Sequence, residues 1–224
     1  MLIGIAKVFL LALIVGALAC GVGHTASETE IADSMPVAEP TPQKAEGPQK
    51  AVFAGGCFWG IEAVFEHVKG VNDARSGYAG GKAKTASYET VSGGDTGHAE
   101  SVEVTFDPTL VSYEQLLDIF FTVAHDPTQL NRQGPDEGTQ YRSAIFFANE
   151  DQRNAATAYI EKATAEKRFP QPIVTEVSAL DKFYPAEAYH QDYLKRHPKE
   201  PYIVYNDLPK LAALKEKFPE RYVK

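Results

Sequence analysis

The spacing of apolar residues along residues 51–224 restricts the fold more than any other feature of the sequence. A short apolar run at Ala51–Ala54 is ended by Gly55-Gly56, and such a run bounded by glycines is typical of a buried strand. Apolar residues then recur at helical spacing, at Ile61, Val64, Phe65 and Val68. Cys57 therefore lies where a predicted strand turns into a predicted helix.

The spacing changes several more times towards the carboxyl terminus. Extended or alternating runs predict strands at Val71–Tyr78, through Val102, Val104 and Phe106, at Ser143–Phe147 and near Ile173–Val177. Helical spacing predicts one helix that begins at a Ser112–Gln115 capping box and another at Asn149–Lys167, with a loop at His125–Gln140 between them. We therefore predict an α+β fold: a two-layer sandwich with a ferredoxin-like split βαβ core and an irregular C-terminal extension.

The first 20 residues are typical of an export signal. The apolar block Val8–Leu18 follows a single charged residue, Lys7, and is shorter than the roughly 18 residues that span a bilayer. Ala17–Cys20 resembles the lipobox of bacterial lipoproteins, although a large aliphatic residue is usual where Ala17 stands. We expect lipidation of Cys20 and a membrane anchor at the cell envelope, on a periplasmic or extracellular face. An uncleaved anchor and a simple secreted form are the alternatives.

The rest of the chain divides into a tether and one domain. Residues 21–50 are rich in Ser, Thr, Glu, Pro, Gln and Ala and show no apolar periodicity, which predicts a disordered tether after the signal peptide at 1–20. Residues 51–224 are long enough for one domain. A net charge of −8 and a pI near 5.3 argue against nucleic acid as a partner, because binding to a phosphate backbone needs clustered basic residues.

Cys57 is the residue whose side chain has the clearest capacity for chemistry. If Cys20 is lipidated or removed, Cys57 is the one thiol of the mature chain and no intramolecular disulfide can form. At a helix N-terminus we expect free N–H groups and the helix dipole to lower its pKa below about 8.5. Phe58 and Trp59 form an apolar wall beside it. A buried structural cysteine and core aromatics are the alternatives. No metal is predicted, since no Cys or His lies at ligand spacing.

The segment Gly56-Cys57-Phe58-Trp59-Gly60 closely resembles the active-site signature of the A-type peptide methionine sulfoxide reductases. Further motifs follow in that family's order, at Gly97–Glu100, His125–Thr128, Asn131–Ser143 and Tyr189–Gln191. The resemblance spans about residues 51–224. It implies an oxidoreductase that uses a thiol to reduce methionine S-sulfoxide in oxidised proteins and peptides, since separate enzymes serve the two sulfoxide epimers. Whether free methionine sulfoxide is also a substrate is left open.

The resemblance also implies roles for individual residues. Cys57 is the nucleophile and passes through a sulfenic acid, while Phe58 and Trp59 hold the substrate's methyl group. Glu100 shares strand parity with Val102, so we expect it to be buried, protonated and a general acid. Three polar residues complete the implied pocket: Tyr88 and Tyr141, which donate to the sulfoxide oxygen, and Asp136, which positions a water or the substrate amide. A solvated glutamate, packed tyrosines and a turn aspartate are the alternatives, and His190 is expected to be structural.

The step that regenerates Cys57 is expected to differ from that of many members of the family that this chain resembles. Residues 201–224 contain no cysteine, so we predict no internal resolving cysteine and no cofactor. An external thiol, such as a thioredoxin-like protein or dithiothreitol, would reduce the sulfenic acid. Two other classes stay open: an exported cysteine hydrolase that pairs Cys57 with His98 or His190, and a non-catalytic redox sensor or methionine-binding lipoprotein.

Overall fold

The computed structural model describes residues 47–224. The predicted signal segment, Cys20 and nearly all of the tether lie outside the described residues. Within residues 47–224, no helix is both long and apolar enough to cross a membrane.

Eight strands and six α-helices make up the described part of the chain. The strands are β1 (Gln49–Gly55), β2 (Val71–Ala79), β3 (Ala99–Phe106), β4 (Arg132–Gln133), β5 (Asp136–Glu137), β6 (Ser143–Phe147), β7 (Glu176–Ala179) and β8 (Phe183–Pro185). The helices are α1 (Phe58–Glu66), α2 (Tyr88–Val91), α3 (Tyr113–Ile119), α4 (Glu150–Ala165), α5 (Tyr193–Arg196) and α6 (Leu208–Lys217). Two π-helical turns, Phe120–Ala124 and Ile203–Asp207, extend α3 and precede α6.

Six of the strands form one mixed sheet in the order β7-β6-β1-β3-β2-β8. Every neighbouring pair is antiparallel except β6 and β7, which run parallel. The strands β4 and β5 form a separate two-stranded hairpin. A mixed sheet packed with helices confirms the predicted α+β class.

The centre of the core lies on the face of β1 that α1 and α3 cover. Because successive strand residues point to opposite faces, Ala51 and Phe53 join the main apolar cluster while Val52 and Ala54 join a smaller one on the other face. The Phe53 ring lies 5.2 Å from that of Phe65. This packing fixes α1, and hence the residue that precedes it, against the end of β1.

The structure differs from the sequence prediction at several places. The strand expected near Ile173–Val177 is found at Glu176–Ala179, and the predicted loop contains the β4–β5 hairpin. The C-terminal extension, predicted to be irregular, contains the ten-residue helix α6, which buries Leu214. A hairpin with two-residue strands is too short to show alternation, and a helix with a single fully buried position shows only a weak periodicity.

The capping box at the start of α3 provides a test of the local sequence–structure relation. Ser112 Oγ accepts from Gln115 N at 3.2 Å, and Gln115 Oε1 accepts from Ser112 N at 3.0 Å. We expect Ser112→Ala to lower the free energy of unfolding by about 1 kcal/mol and Ser112→Gly by only a few tenths, because glycine is itself a tolerated N-cap. Urea unfolding measures both. Equal stability of Ser112→Ala and the unsubstituted protein would contradict the capping role.

Candidate active site

The turn between β1 and α1 places Cys57 as the N-cap of α1, as predicted. Gly56 adopts a φ of +96°, and a Cβ there would lie 2.5 Å from Gln133 Cβ, so the turn requires glycine. Cys57 is a free cysteine with 8% of its surface exposed. A thiol at the edge of solvent is thereby presented at the first turn of a buried helix.

The predicted lowering of the Cys57 pKa is wrong. Burial raises the pKa of the Cys57 thiol well above its ordinary value, and the carboxyl groups of Glu100 and Asp207 raise it further. The backbone N–H of Trp59 and the ammonium of Lys210 act in the opposite direction. Withdrawal of a thiolate from water outweighs what one N–H and a helix terminus supply.

Glu100 lies beside Cys57, on β3, with 2% of its surface exposed. Its Oε2 accepts a hydrogen bond from Phe58 N at 3.1 Å, which brings the carboxyl to the turn that follows the thiol. Burial raises the pKa of Glu100 to about 8 despite this bond, and the charge of Asp136 adds to the rise. Glu100 is therefore largely protonated at neutral pH, as its strand parity predicted, and can donate a proton.

The two aromatic residues after Cys57 occupy different environments. Phe58 is buried and lies 5.0 Å from the His190 ring. Trp59 is only partly buried; it stacks on Tyr193 at 3.7 Å and meets Tyr202 edge-on. Its Nε1 donates to His190 Nδ1 at 3.1 Å. His190 thus orients the indole, which agrees with the structural role expected for it.

The three predicted polar residues come from separate segments. Tyr88 begins α2, Tyr141 ends a short 3₁₀ turn, and Asp136 lies on β5. Burial raises the pKa of both tyrosines, and the charges of Glu100 and Cys57 contribute to each rise. Both hydroxyls therefore stay protonated, as a hydrogen-bond donor to substrate requires. Asp136 Oδ2 accepts a hydrogen bond from the Tyr202 hydroxyl.

A cavity of about 170 Å³ opens beside the thiol. Cys57, Asp136, Tyr202 and Lys210 contribute to its lining. Three larger cavities, of about 300, 410 and 490 Å³, contain none of the predicted site residues. Size alone does not locate the chemistry, because of these four cavities only the smallest is lined by the thiol. Within the described residues, no group of three or more His, Cys, Asp or Glu side chains is arranged to hold a metal ion.

Sequence reasoning missed Glu187, which supports this site. Its Oε1 accepts from Tyr88 N at 2.9 Å and its Oε2 accepts from the Tyr78 hydroxyl at 2.8 Å, so it holds the start of α2 against β2. Glu187 lies just before the Tyr189–Gln191 motif, and that proximity was the one available signal. Tyr193, Tyr202, Asp207 and Lys210 were also missed, since no pattern in the C-terminal segment pointed to them.

His98 does not pair with Cys57. Its Nδ1 accepts from Gly81 N at 3.2 Å, and its Nε2 lies 3.1 Å from the carbonyl oxygen of Lys82. Both ring nitrogens are thus engaged with the backbone of the loop after β2. A hydrolase mechanism with His98 as the base of Cys57 has no support in this geometry.

Known proteins resemble this chain over the whole site. The sequence profile of the family described as peptide methionine sulfoxide reductase matches residues 49–222. Peptide methionine sulfoxide reductase MsrA 2 of Mesorhizobium japonicum is 59% identical over 178 residues, covering 80% of this chain and 91% of that protein. Reduced Mxr1 from Saccharomyces cerevisiae superposes with a TM-score of 0.62 at 34% identity, covering 68% of this chain and 87% of Mxr1. Methionine sulfoxide reductase A of Corynebacterium diphtheriae superposes with a TM-score of 0.59 at 36% identity, covering 69% and 77%.

The effect of the Glu100 charge on the pKa of Cys57 can be measured by thiol alkylation. Because the pKa of Cys57 lies above that of Glu100, Glu100 is ionised while Cys57 titrates. Glu100→Gln removes that negative charge, so the pH midpoint of iodoacetamide alkylation at Cys57, followed by mass spectrometry of its peptide, should fall by about one unit. Glu103→Gln removes a carboxylate from the same strand and should leave the midpoint unchanged. A midpoint that stays or rises in Glu100→Gln would refute the contact.

Proposed function

Because the chain belongs to the peptide methionine sulfoxide reductase family, we propose that Cys57 is the nucleophile of its reaction. The chain is an oxidoreductase that reduces methionine sulfoxide and thereby repairs oxidised proteins. The observation that carries the assignment of residues is the hydrogen bond from Phe58 N to Glu100 Oε2. It sets a buried carboxyl beside the helix turn that presents the thiol.

The chemistry follows from those two groups. The sulfur of Cys57 attacks the sulfoxide sulfur, and Glu100, protonated at neutral pH, gives its proton to the sulfoxide oxygen. Collapse breaks the bond between the substrate sulfur and that oxygen, which passes as a hydroxyl group to the sulfur of Cys57 while the bond between the two sulfurs breaks. Methionine leaves, and Cys57 becomes a sulfenic acid. The substrate is reduced by two electrons and Cys57 is oxidised by two.

Recognition of the substrate combines an apolar wall with hydroxyl donors. Phe58 and Trp59 hold the methyl group, and stacking on Tyr193 keeps the indole in place. Tyr88 and Tyr141 donate to the sulfoxide oxygen, while Asp136 positions a water or the substrate's backbone amide. Because the methyl group and the oxygen are both held in fixed places, only one hand at sulfur fits the pocket. We assign the S epimer, bound within proteins or peptides.

The second half of the cycle depends on a thiol from outside the domain. The sequence holds two cysteines, Cys20 and Cys57, and none in residues 201–224. The sulfenic acid of Cys57 therefore reacts with an external thiol, such as that of a thioredoxin-like protein or, in vitro, dithiothreitol. No metal or organic cofactor enters this cycle.

We propose further that the domain is exported as a lipoprotein of the cell envelope. The support lies in the sequence: the apolar block Val8–Leu18, the lipobox-like Ala17–Cys20 and the polar segment at residues 21–50. Lipidated Cys20 would anchor the protein in a membrane, and the tether would carry the domain at 51–224 away from it.

We also propose that the sheet contains a ferredoxin-like split βαβ core. The adjacent strands β6-β1-β3-β2 are antiparallel throughout. As a consequence β1 and β2, which α1 connects, run parallel with β3 between them. This arrangement supports the proposed type of core. The strands β7 and β8 extend it at its two edges.

Resolved epimers of methionine sulfoxide test the assigned reaction. With dithiothreitol as reductant, the protein should form methionine from the S epimer and none from the R epimer. Cys57→Ser should abolish turnover without unfolding the domain, because oxygen replaces sulfur with little change in volume while serine does not ionise near neutral pH. Circular dichroism controls for folding. Substantial turnover by folded Cys57→Ser would exclude Cys57 as the nucleophile.

A single turnover without reductant tests the absence of a resolving cysteine. With excess methionine sulfoxide we expect one methionine per protein, a Cys57 that dimedone labels as sulfenic acid, and no intramolecular disulfide by mass spectrometry, since no second thiol is free to react. Addition of dithiothreitol before dimedone should prevent the labelling. Two methionines per protein, or a Cys20–Cys57 disulfide in material purified from membranes, would disprove both the single-thiol cycle and the lipidation.

A further inference from the structure

A buried ion pair lies at the start of α6. Lys210 Nζ is 3.2 Å from Asp207 Oδ1, with 0% of the Asp207 side chain and 18% of the Lys210 side chain exposed. Exposed pairs at this helical spacing contribute a few tenths of a kcal/mol. A carboxylate without access to water is different, because its charge needs a partner. Asp207 therefore holds the Lys210 ammonium in place.

Asp207 occupies the N-cap of α6 but does not cap it. Aspartate at this position ordinarily accepts from an N–H of the first turn, whereas here no side-chain capping bond forms. The carboxylate points instead at α1. A Cβ on Gly60 would lie 2.1 Å from Asp207 Oδ1 and 2.7 Å from Lys210 Nζ.

Gly60 is therefore the point at which the pair contacts the helix that presents Cys57. Glycine within a helix costs about 1 kcal/mol relative to alanine. The place that Asp207 and Lys210 take up against the first turn of α1 accounts for a glycine at this position. If Asp207 and Lys210 served only to pack against the first turn of α1, uncharged side chains could fill the same space.

Lys210 lines the same cavity as Cys57. The first turn of α1 carries no acidic residue, and the titratable acidic and basic groups around Cys57 come from other elements: Glu100 of β3, Asp136 of β5, Asp207 of the π-helical turn and Lys210 of α6. The neighbouring phenols, Tyr88, Tyr141, Tyr193 and Tyr202, are neutral. Lys210 is the cation of this set.

We propose that Lys210, anchored by Asp207, is the positive charge that stabilises the thiolate of Cys57 for attack on the sulfoxide. It acts through Cys57 and is a positioning residue rather than a catalytic one. The proposal rests on Cys57 being the nucleophile. Asp207 itself opposes the thiolate, because its carboxylate raises the pKa of Cys57.

Alkylation of Cys57 by neutral iodoacetamide between pH 6 and pH 11, followed on the Cys57 peptide of the full chain, tests this role. Lys210→Met should raise the pH midpoint by about one unit and slow alkylation about tenfold at pH 7, since one pKa unit is a factor of ten. Above both midpoints the rates should converge. Lys210→Arg keeps the charge and should keep the original midpoint. Lys199→Met removes a lysine from an exposed position and should also leave it unchanged.

A folded Lys210→Met with the midpoint of the unsubstituted protein would overturn the proposal, and so would an equal shift in Lys199→Met. If Lys210→Met does not fold, Lys210→Gln serves the same comparison. Sulfoxide turnover by the unsubstituted protein distinguishes a failure of the Lys210 role from a failure of the proposed reaction. Turnover without a midpoint shift refutes the role of Lys210 alone. A midpoint shift without turnover refutes the proposed reaction and leaves Lys210 as an electrostatic partner of a thiol that does not reduce sulfoxide.

Discussion

The hydrogen bond from the Phe58 backbone to Glu100 joins the first turn of α1 to the centre of the sheet, and the rest of the site is arranged around it. It fixes a carboxyl beside a thiol in a region with almost no water. Both groups prefer their neutral forms there, because burial disfavours each anion. Such a site suits the transfer of oxygen from one sulfur to another, which needs a proton at the oxygen and a negative charge at the attacking sulfur. The carboxyl is neutral without assistance, whereas the thiolate requires a cation.

The segment after residue 185 supplies contacts to the site residues that the sheet itself does not make. Glu187 secures Tyr88, His190 orients Trp59, and Tyr202 binds Asp136, across separations in sequence of 99, 131 and 66 residues. Asp207 and Lys210 then meet α1 at Gly60. The chain thus returns to its first helix near its end, and aromatic rings and charged groups of that segment line the cavity beside Cys57.

The sequence predicted correctly those features of the structure that depend on residues close together in the chain. The alternation around Val102 predicted that Glu100 would be buried, and the Gly55-Gly56 break predicted Cys57 at the start of a helix, because strand parity and helix termini depend on near neighbours. The pKa of Cys57 was predicted in the wrong direction for the opposite reason. A helix terminus is visible in the sequence, but the degree of burial and the nearby Glu100 and Asp207 are not.

The sequence by itself determined the family, the place of Cys57 between a strand and a helix, and the order of the main strands and helices, since a specific pentapeptide and apolar spacing are properties of the linear chain. Only the tertiary structure decided the electrostatic environment of Cys57 and the partners of Trp59, Tyr88 and Asp136. Those properties depend on which groups are brought together out of water. A residue such as Lys210 carries no signal of its role until folding places it beside Gly60, which lies more than 90 positions away in the sequence.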